Sequence, residues 1–366
     1  MEICIEVNIK PPTKNRGPLR VGFVPLVDCA PIVMAQELDL FRKFGLRVQL
    51  ERELGWASVR DKIIYGELDA AHALSAMPLS ATLGLGSIPC HCLTALVLNL
   101  NGNAITLSEE LWARGVRDGG TLREEIKRIR HERILTFGVV FAFSSHRHLL
   151  RRWLLMHRID AERDVHIVVV PPPQMAANLR AGNLDGFCVG EPWNSVAAQS
   201  RAGKCVATSV GLDPGHPEKV LMVRSEFVEQ RGQEHLALVA ALLKACEFCA
   251  QPKNCDYVAA TLARPEFVGV AAEILKRGLT GLMDFGGKEM RNIPGFCEFH
   301  GSGVNEPSAD KAAWSMELVR ASGICPQPAQ LNFAFGKNVF RADIFEQAVR
   351  LGRETGKTAN LETNLV

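Results

Sequence analysis

The stretch LRVGFVPLVDCAPIVMAQELDLFRKFGLRVQLERE, residues 19–53, decides the fold of this chain. LRVGFVPL (19–26) is short and almost wholly apolar, which reads as a buried strand. APIVMAQELDLFRKF (30–44) carries its apolar residues on one helical stripe, and Gly45 follows where a helix stop favours a left-handed residue. LRVQLERE (46–53) alternates with period two and is a second strand. Strand, helix, strand at this spacing is the unit from which parallel sheets are built.

The same rhythm continues outward. A helix begins over 59–65, LDAAH (68–72) is a short strand, 78–85 is helical and 88–98 is a further strand. The pattern predicts an α/β lobe with a largely parallel sheet. A second run starts near Gly120, where Thr121 and Glu124 are spaced as a capping box at the head of TLREEIKRIR. ILTFGVV (134–140) is a strand, 146–157 a helix, VHIVVVP (165–171) a strand, 174–181 a helix and 184–189 a strand. KVLMVRS (219–225) adds one more strand, and helices follow over 234–251, 257–262, 268–279, 308–322 and 344–353. No Gly-, Ser- or Pro-rich linker divides the two runs, so the lobes are expected to be joined by strands that cross out and back. The expected division is a lead-in over 1–18, a first lobe of 19–103 plus 219–366 with the C-terminal helices, and a second lobe of 104–218.

Composition narrows the function classes. Of 366 residues, 47% are hydrophobic and 22% charged, ordinary values for a globular protein. The formal net charge of +2 carries no overall nucleic-acid footprint, and no apolar run approaches the ~20 residues of a membrane helix. In MEICIEVNIKPPTKNRGPLR the residues Glu2, Glu6 and Lys10 interrupt the only apolar stretch, so no secretory signal is read there. The 11 cysteines are odd in number and scattered, which fits a reducing compartment; the expectation is a cytoplasmic protein. Cys90-His91-Cys92 and the Cys246/Cys249 pair lack a second ligand pair at zinc-site spacing and read as small buried residues, so no metal or other cofactor is expected. There is no GxSxG, no P-loop and no HExxH, and the GLG at Gly84–Gly86 follows a helix and lacks a third glycine, so a non-enzyme is expected.

The polar residues that stand out lie at the ends of predicted strands, where α/β lobes bind ligands. They are Trp56; Asn99, Asn101 and Asn103; His146 behind Ser144 and Ser145; the run from Pro171 to Gln174; the run from Glu191 to Asn194; and the run from His216 to Lys219. A helix start at Ser144–Ser145–His146 is a natural anion seat. A planar monovalent oxyanion offers only acceptors, so a site built purely of donors is expected for it. Taken singly, each residue has an ordinary alternative: Trp56 as lobe core, His146 as a cap, the prolines as a rigid turn, Lys219 as a solvated charge.

Larger blocks add what single residues do not. RVGFVPLVDCAPIVMAQELDLFRKFGL, GWASVRDKI, LDAAHALSAMP, VFAFSSHRHLLRRWL, VVVPPPQMAANLRAGNLDGFCVGEPWN and GHPEKVLMV together resemble the nitrate/bicarbonate-binding family of ABC-transporter solute-binding proteins. Within it the chain is most similar to signal-less cytoplasmic nitrate sensors that pair with an antiterminator. The resemblance implies a periplasmic-binding-protein-like (type II) fold, two α/β lobes with the ligand cleft between them. It implies an anion held by Trp56, Asn101, His146, Pro172 and Lys219, with Pro172 contributing backbone. Asn101 departs from the family's glutamine and is one methylene shorter. The bicarbonate-binding branch looks to carry an acidic residue where Lys219 stands, so the lysine implies nitrate or nitrite. The function implied is a sensor that releases an RNA-binding antiterminator partner when the anion binds, without contacting nucleic acid itself or entering a membrane. The alternative is the extracytoplasmic binding component of a nitrate transporter. The fold is also that of pyrimidine-precursor synthases of thiamine biosynthesis, whose cysteine-dense motif has no counterpart here.

Overall fold

The computed structural model describes residues 17–286 and 290–362. Nearly all of the lead-in expected over 1–18, including Cys4, lies outside the described residues.

The first lobe is built on β1 (Leu19–Phe23), β2 (Val48–Arg52), β3 (Ala70–Leu74) and β4 (Cys92–Asn101). The second holds β5 (Asn103–Ser108), β6 (Leu135–Val139), β7 (Val165–Val169), β8 (Gly186–Gly190) and β9 (Gly203–Thr208). The chain then returns as β10 (Pro217–Arg224), followed by the short strands β11 (Leu282–Asp284), β12 (Met290–Asn292) and β13 (Cys297–Glu298). Strand order is β13-β4-β10-β3-β1-β2 in the first sheet and β7-β6-β8-β5-β9 in the second, with β11-β12 a separate hairpin.

The expected largely parallel sheet is only half realised. β1 runs parallel to β2 and β3, but β10 is antiparallel to β3 and β4. The cause is the crossing between lobes. The chain leaves along β4 and comes back along β10, so two neighbours made by one excursion point opposite ways. The outward crossing is nearly continuous: β4 passes into β5 through Asn101 (φ 60°) and Gly102 (φ 99°). β5 and β9 had no counterpart among the expected strands; both sit beside a lobe crossing, where periodicity is shortest.

Local chemistry accounts for the other departures. The helix expected over 30–44 is two, Ala30–Glu37 and Leu40–Lys43, because Asp39 adopts a left-handed conformation (φ 59°) between them. Gly45 is left-handed as expected (φ 73°). The capping box lies three residues earlier than expected. Asp118 caps Gly119–Ile129, accepting from the Thr121 N–H at 2.8 Å, and the Thr121 hydroxyl accepts from the Asp118 N–H at 3.0 Å. Asp is a better N-cap than Thr, and Glu124 instead pairs with Lys127 at 2.8 Å. Cys246 and Cys249 are buried inside the long helix Ser225–Cys249.

Each lobe has its own core, and a third buried cluster, with Trp56, Phe141, Phe143, Phe187 and Trp193, spans the two. Val21, Phe23, Leu96, Leu98 and Leu221 pack under the helices Ala30–Glu37 and Ser225–Cys249; Ile105, Phe137, Val139, Leu150 and Trp153 fill the second lobe. The C-terminal region is not confined to the first lobe, since Met283 and Phe296 pack on Ala104 and Cys205. The lobes are held closed by the GEPW segment. The Glu191 carbonyl accepts from the Val27 N–H at 2.8 Å, and the Trp193 indole donates to the Pro25 carbonyl at 3.1 Å.

Asn101 pins the crossing. Its amide donates to the Gly295 carbonyl at 2.9 Å and accepts from the Gly215 N–H at 2.8 Å. Asn101→Ala removes both bonds and leaves a Cβ residue left-handed without a polar side chain to favour it. A loss of about 2–4 kcal/mol in urea unfolding is expected. An unchanged midpoint would show that the asparagine does not hold the crossing.

Candidate anion site

The site forms where the carboxyl ends of the first-lobe strands meet the start of the helix Ser145–Met156. Lys219 is its centre and is fully buried. A regular strand would send Glu218 and Lys219 to opposite faces, but β10 is irregular here, with register shifts on both sides of Lys219. Both side chains therefore reach the same buried region. The Lys219 ammonium lies 2.7 Å from Asp28 Oδ2 and 2.6 Å from Glu218 Oε1.

Two carboxylates around one lysine correct the expectation of a donors-only site. Burying a lone ammonium costs several kcal/mol even after relaxation, so the lysine needs buried counter-charges. Burial alone would lower the Lys219 pKa, but the Asp28 and Glu218 charges outweigh it and raise it. Burial pushes both acids up, yet the Lys219 charge and histidine partners leave Asp28 below the usual carboxylate range and Glu218 well below it. All three groups are therefore ionised at neutral pH.

The surrounding polar groups tie this triad to both lobes. Asp28 Oδ1 lies 2.9 Å from His72 Nε2. Glu218 Oε2 accepts from Asn103 Nδ2 at 2.7 Å and faces His216 Nε2 at 3.2 Å. His216 is stacked on Trp314, ring centroids 5.1 Å apart. Trp56 opens the helix Trp56–Ile64; its ring centroid is 5.3 Å from that of His72 and 5.4 Å from the Lys219 ammonium. His146 is the second residue of its helix, behind the Ser144 cap, whose hydroxyl accepts from the Arg147 N–H at 3.2 Å. Its Nε2 lies 3.7 Å from Glu218 Oε1, too far for a good hydrogen bond. Burial lowers the pKa of His146 to about 4 and also lowers that of His72, so both are neutral at pH 7.

The structure thus brings together three of the five residues expected from sequence: Trp56, His146 and Lys219. Pro172 is buried in the turn at the second-lobe rim, next to Pro171, which faces Gly55 beside Trp56; a Cβ on Gly55 would lie 3.7 Å from Pro171 Cβ. Asn101 is the correction. Its amide is spent on Gly215 and Gly295, and Asn103, two residues on and past the left-handed turn, points into the site instead. Asp28 and His72 were missed. Their signals were present: a lone acid in the apolar run FVPLVDC after the first strand and a lone histidine within the strand AAHAL.

What remains unpartnered defines what the site can bind. The indole N–H of Trp56, His146 Nε2 and Asn103 Oδ1 are buried without a hydrogen-bond partner. Trp56 supplies a fixed donor, and neutral His146 can supply a second in the tautomer protonated at Nε2. The first N–H groups of the Ser145–Met156 helix add partial positive charge on the same side.

Replacing Lys219 tests the charge balance. Lys219→Met leaves two buried carboxylates facing each other, and a loss of about 3–5 kcal/mol at pH 7 is expected. The deficit should shrink as pH falls through the raised pKa values of the unpaired acids. In the wild type the sign is opposite: Asp28 and Glu218 are depressed, so the stability they contribute is present above the unfolded pKa values and lost as pH falls below them. Denaturation curves at pH 7 and pH 4.5 that show equal deficits for the variant would exclude this balance.

Comparison with known proteins agrees with the geometry. Residues 12–263 match the model of the NMT1-like family. The chain is 39% identical over 335 residues to the nitrate import ATP-binding protein NrtC of Synechocystis PCC 6803, covering 91% of this chain and 50% of that protein. It is 35% identical to the bicarbonate transport ATP-binding protein CmpC of Synechococcus elongatus, covering 91% and 49%. This chain therefore spans about half the length of these two relatives. Against the nitrate/nitrite binding protein NrtA of Synechococcus elongatus identity is 31%, with 91% of this chain and 78% of that protein covered. The crystal structure of the periplasmic nitrate-binding protein NrtA from Synechocystis PCC 6803 superposes with a TM-score of 0.86 at 26% identity, over 91% of this chain and 88% of that one. The periplasmic-binding-protein-like fold expected from sequence is thereby borne out, and the chain belongs to the NMT1-like family, homologous to the NrtA nitrate-binding proteins.

Proposed function

We propose that this chain is the oxyanion-binding unit of an ABC transport system and that its ligand is nitrate, with nitrite as the near isostere. The observation that carries the proposal is the pair of buried donors without partners, the Trp56 indole N–H and His146 Nε2, flanking the Lys219 ammonium. The carboxylates are already engaged by Lys219, His72, Asn103 and His216, so the unused capacity is mainly for an acceptor ligand. The names of the relatives, nitrate import and nitrate/nitrite binding, support the same reading.

Of the two functional expectations, the transport reading has the better support. The relatives named above are transport or binding proteins, and nothing in them or in the site points to an RNA-binding antiterminator partner. The match to half of NrtC suggests how the unit is used. This chain has no P-loop, so we place ATP binding in the other half of that relative and anion binding in the half shared with this chain. An ATP-binding component works where ATP is, which supports a cytoplasmic position for this unit. We also read it as a binder without catalysis. Cys29, beside Asp28, and Cys188 have their thiols pushed up by burial and are poor nucleophiles.

Anion binding should be linked to a proton. Lys219 is already neutralised, so an entering anion brings uncompensated negative charge that raises the proton affinity of His146 above its value of about 4. The complex then binds more protons than the free protein, and the dissociation constant for nitrate should fall as pH is lowered from 7 to 5. Bicarbonate, which converts to carbon dioxide over that range, should weaken instead. Calorimetry in buffers of different ionisation enthalpy reads the proton uptake directly. Trp56→Phe keeps the ring and removes one donor to a charged ligand, so a loss of about 1.5–3 kcal/mol, roughly tenfold to a hundredfold, is expected. Unchanged nitrate affinity in this variant would remove the indole from the site.

A further inference from the structure

We propose that the second lobe carries a separate site for a small multiply charged phosphate compound, in a groove lined by arginines. The groove has a volume of about 630 Å³ and lies between the helix Ser145–Met156 with the turn after it and the end of the helix Ala309–Ala321. This volume is in the range of pockets that enclose small organic ligands.

Five arginines line it: Arg147, Arg151, Arg152, Arg158 and Arg163. Few carboxylates oppose them. Glu162 is shared by Arg147, at 3.4 Å, and Arg151, and Asp160 pairs with Arg163 at 2.7 Å. Arg152 and Arg158 form no ion pair among the described residues. The Arg152 charge also acts on Asp213, so five guanidinium groups face three acids, a surplus that a ligand with two or three negative charges would neutralise. Folding does not require such a surplus. Guanidinium forks match phosphate oxygens two at a time, which favours phosphate over a planar monovalent anion such as nitrate.

The sequence shows how the cluster arises. In SHRHLLRRWLLMHR the apolar Leu149, Leu150, Trp153 and Leu154 turn into the lobe core, and Arg147, Arg151 and Arg152 emerge on the opposite side of the same helix. Arg158 then sits left-handed (φ 60°) just past the helix end, which turns the chain so that Arg163 closes the cluster.

The rest of the lining sets the size and kind of the ligand. Leu155, 74% exposed, with Leu318 and Ala321 from the facing helix, gives an apolar wall beside the charges. A phosphate head on the arginines with an uncharged organic part on this wall uses both, as a nucleoside diphosphate would. Arg158 and Arg163 also border a smaller groove of about 340 Å³ with Arg123, Lys127 and Arg130, so the positive potential extends past the first groove and draws anions toward it. No Trp, Tyr or Phe lines either groove, so the stacking platform of a single-stranded nucleic-acid site is missing.

The test is calorimetric titration of the full chain with ADP and with inorganic pyrophosphate at fixed ionic strength. Saturable one-to-one binding of both is expected, with ADP the tighter because pyrophosphate leaves the apolar wall uncovered. The Arg152→Glu/Arg158→Glu double variant should weaken ADP by at least about tenfold, or 1.4 kcal/mol, at an unchanged melting temperature. Glu162→Gln should tighten it by freeing Arg147 and Arg151, a gain that a misfolded protein cannot imitate. Absence of saturable binding at millimolar ADP overturns the proposal, as does equal affinity in the double variant. Tighter binding of a single-stranded oligonucleotide or of anionic phospholipid vesicles through the same arginines also overturns it, because the groove would then belong to a macromolecular surface.

Discussion

The buried ammonium of Lys219 is the constraint around which the cleft is organised. A charge so far from water must be matched nearby, and no single element of the chain could match it. Asp28 comes from the loop after β1, Glu218 from β10 itself, and the groups that hold these acids come from β3, β5 and the segment before β10. Satisfying one lysine therefore draws both lobes into one polar network. The register irregularity of β10 is part of this, because it lets two adjacent residues serve the same site.

Closure of the lobes also rests on groups that never touch the site. GEPW grips the loop FVPLVD through backbone and indole hydrogen bonds, and that loop carries Asp28. Asn101 holds the crossing strand in its left-handed turn and so aims Asn103 at Glu218. The two asparagines are nearly adjacent and chemically identical, yet one is structural and the other faces the cleft. A turn at Asn101 and Gly102 separates them.

The second lobe presents two kinds of anion-facing group on one helix. At the N-terminus of Ser145–Met156, His146 and the first backbone amides face the buried cleft, a place for one small planar anion. Further along, arginines face an open groove and outnumber the acids that pair with them. The same helix thus borders one buried, closely matched site and one open, strongly charged groove.

Periodicity determined most strands, because burial on one face leaves a pattern in the residues themselves, while the crossing was expected from the want of a linker between the two runs. The blocks around Trp56, FAFSSHRH, PPPQM, GEPW and HPEK were legible because each is a compact segment near a strand end, and the resemblance they carry singled out Trp56, His146 and Lys219. Charge partnership was not legible. Asp28 lies far from Lys219 along the chain, and nothing in FVPLVDC states which cation it will meet. Nor could alternation reveal that Glu218 and Lys219 share a side, since an irregular strand breaks the rule that would separate them. By itself the sequence determined what kind of residue stands at each strand end. Only the tertiary structure decided which of those residues neutralise one another, because electrostatic pairing depends on distance through space, and the crossing of the chain sets that distance.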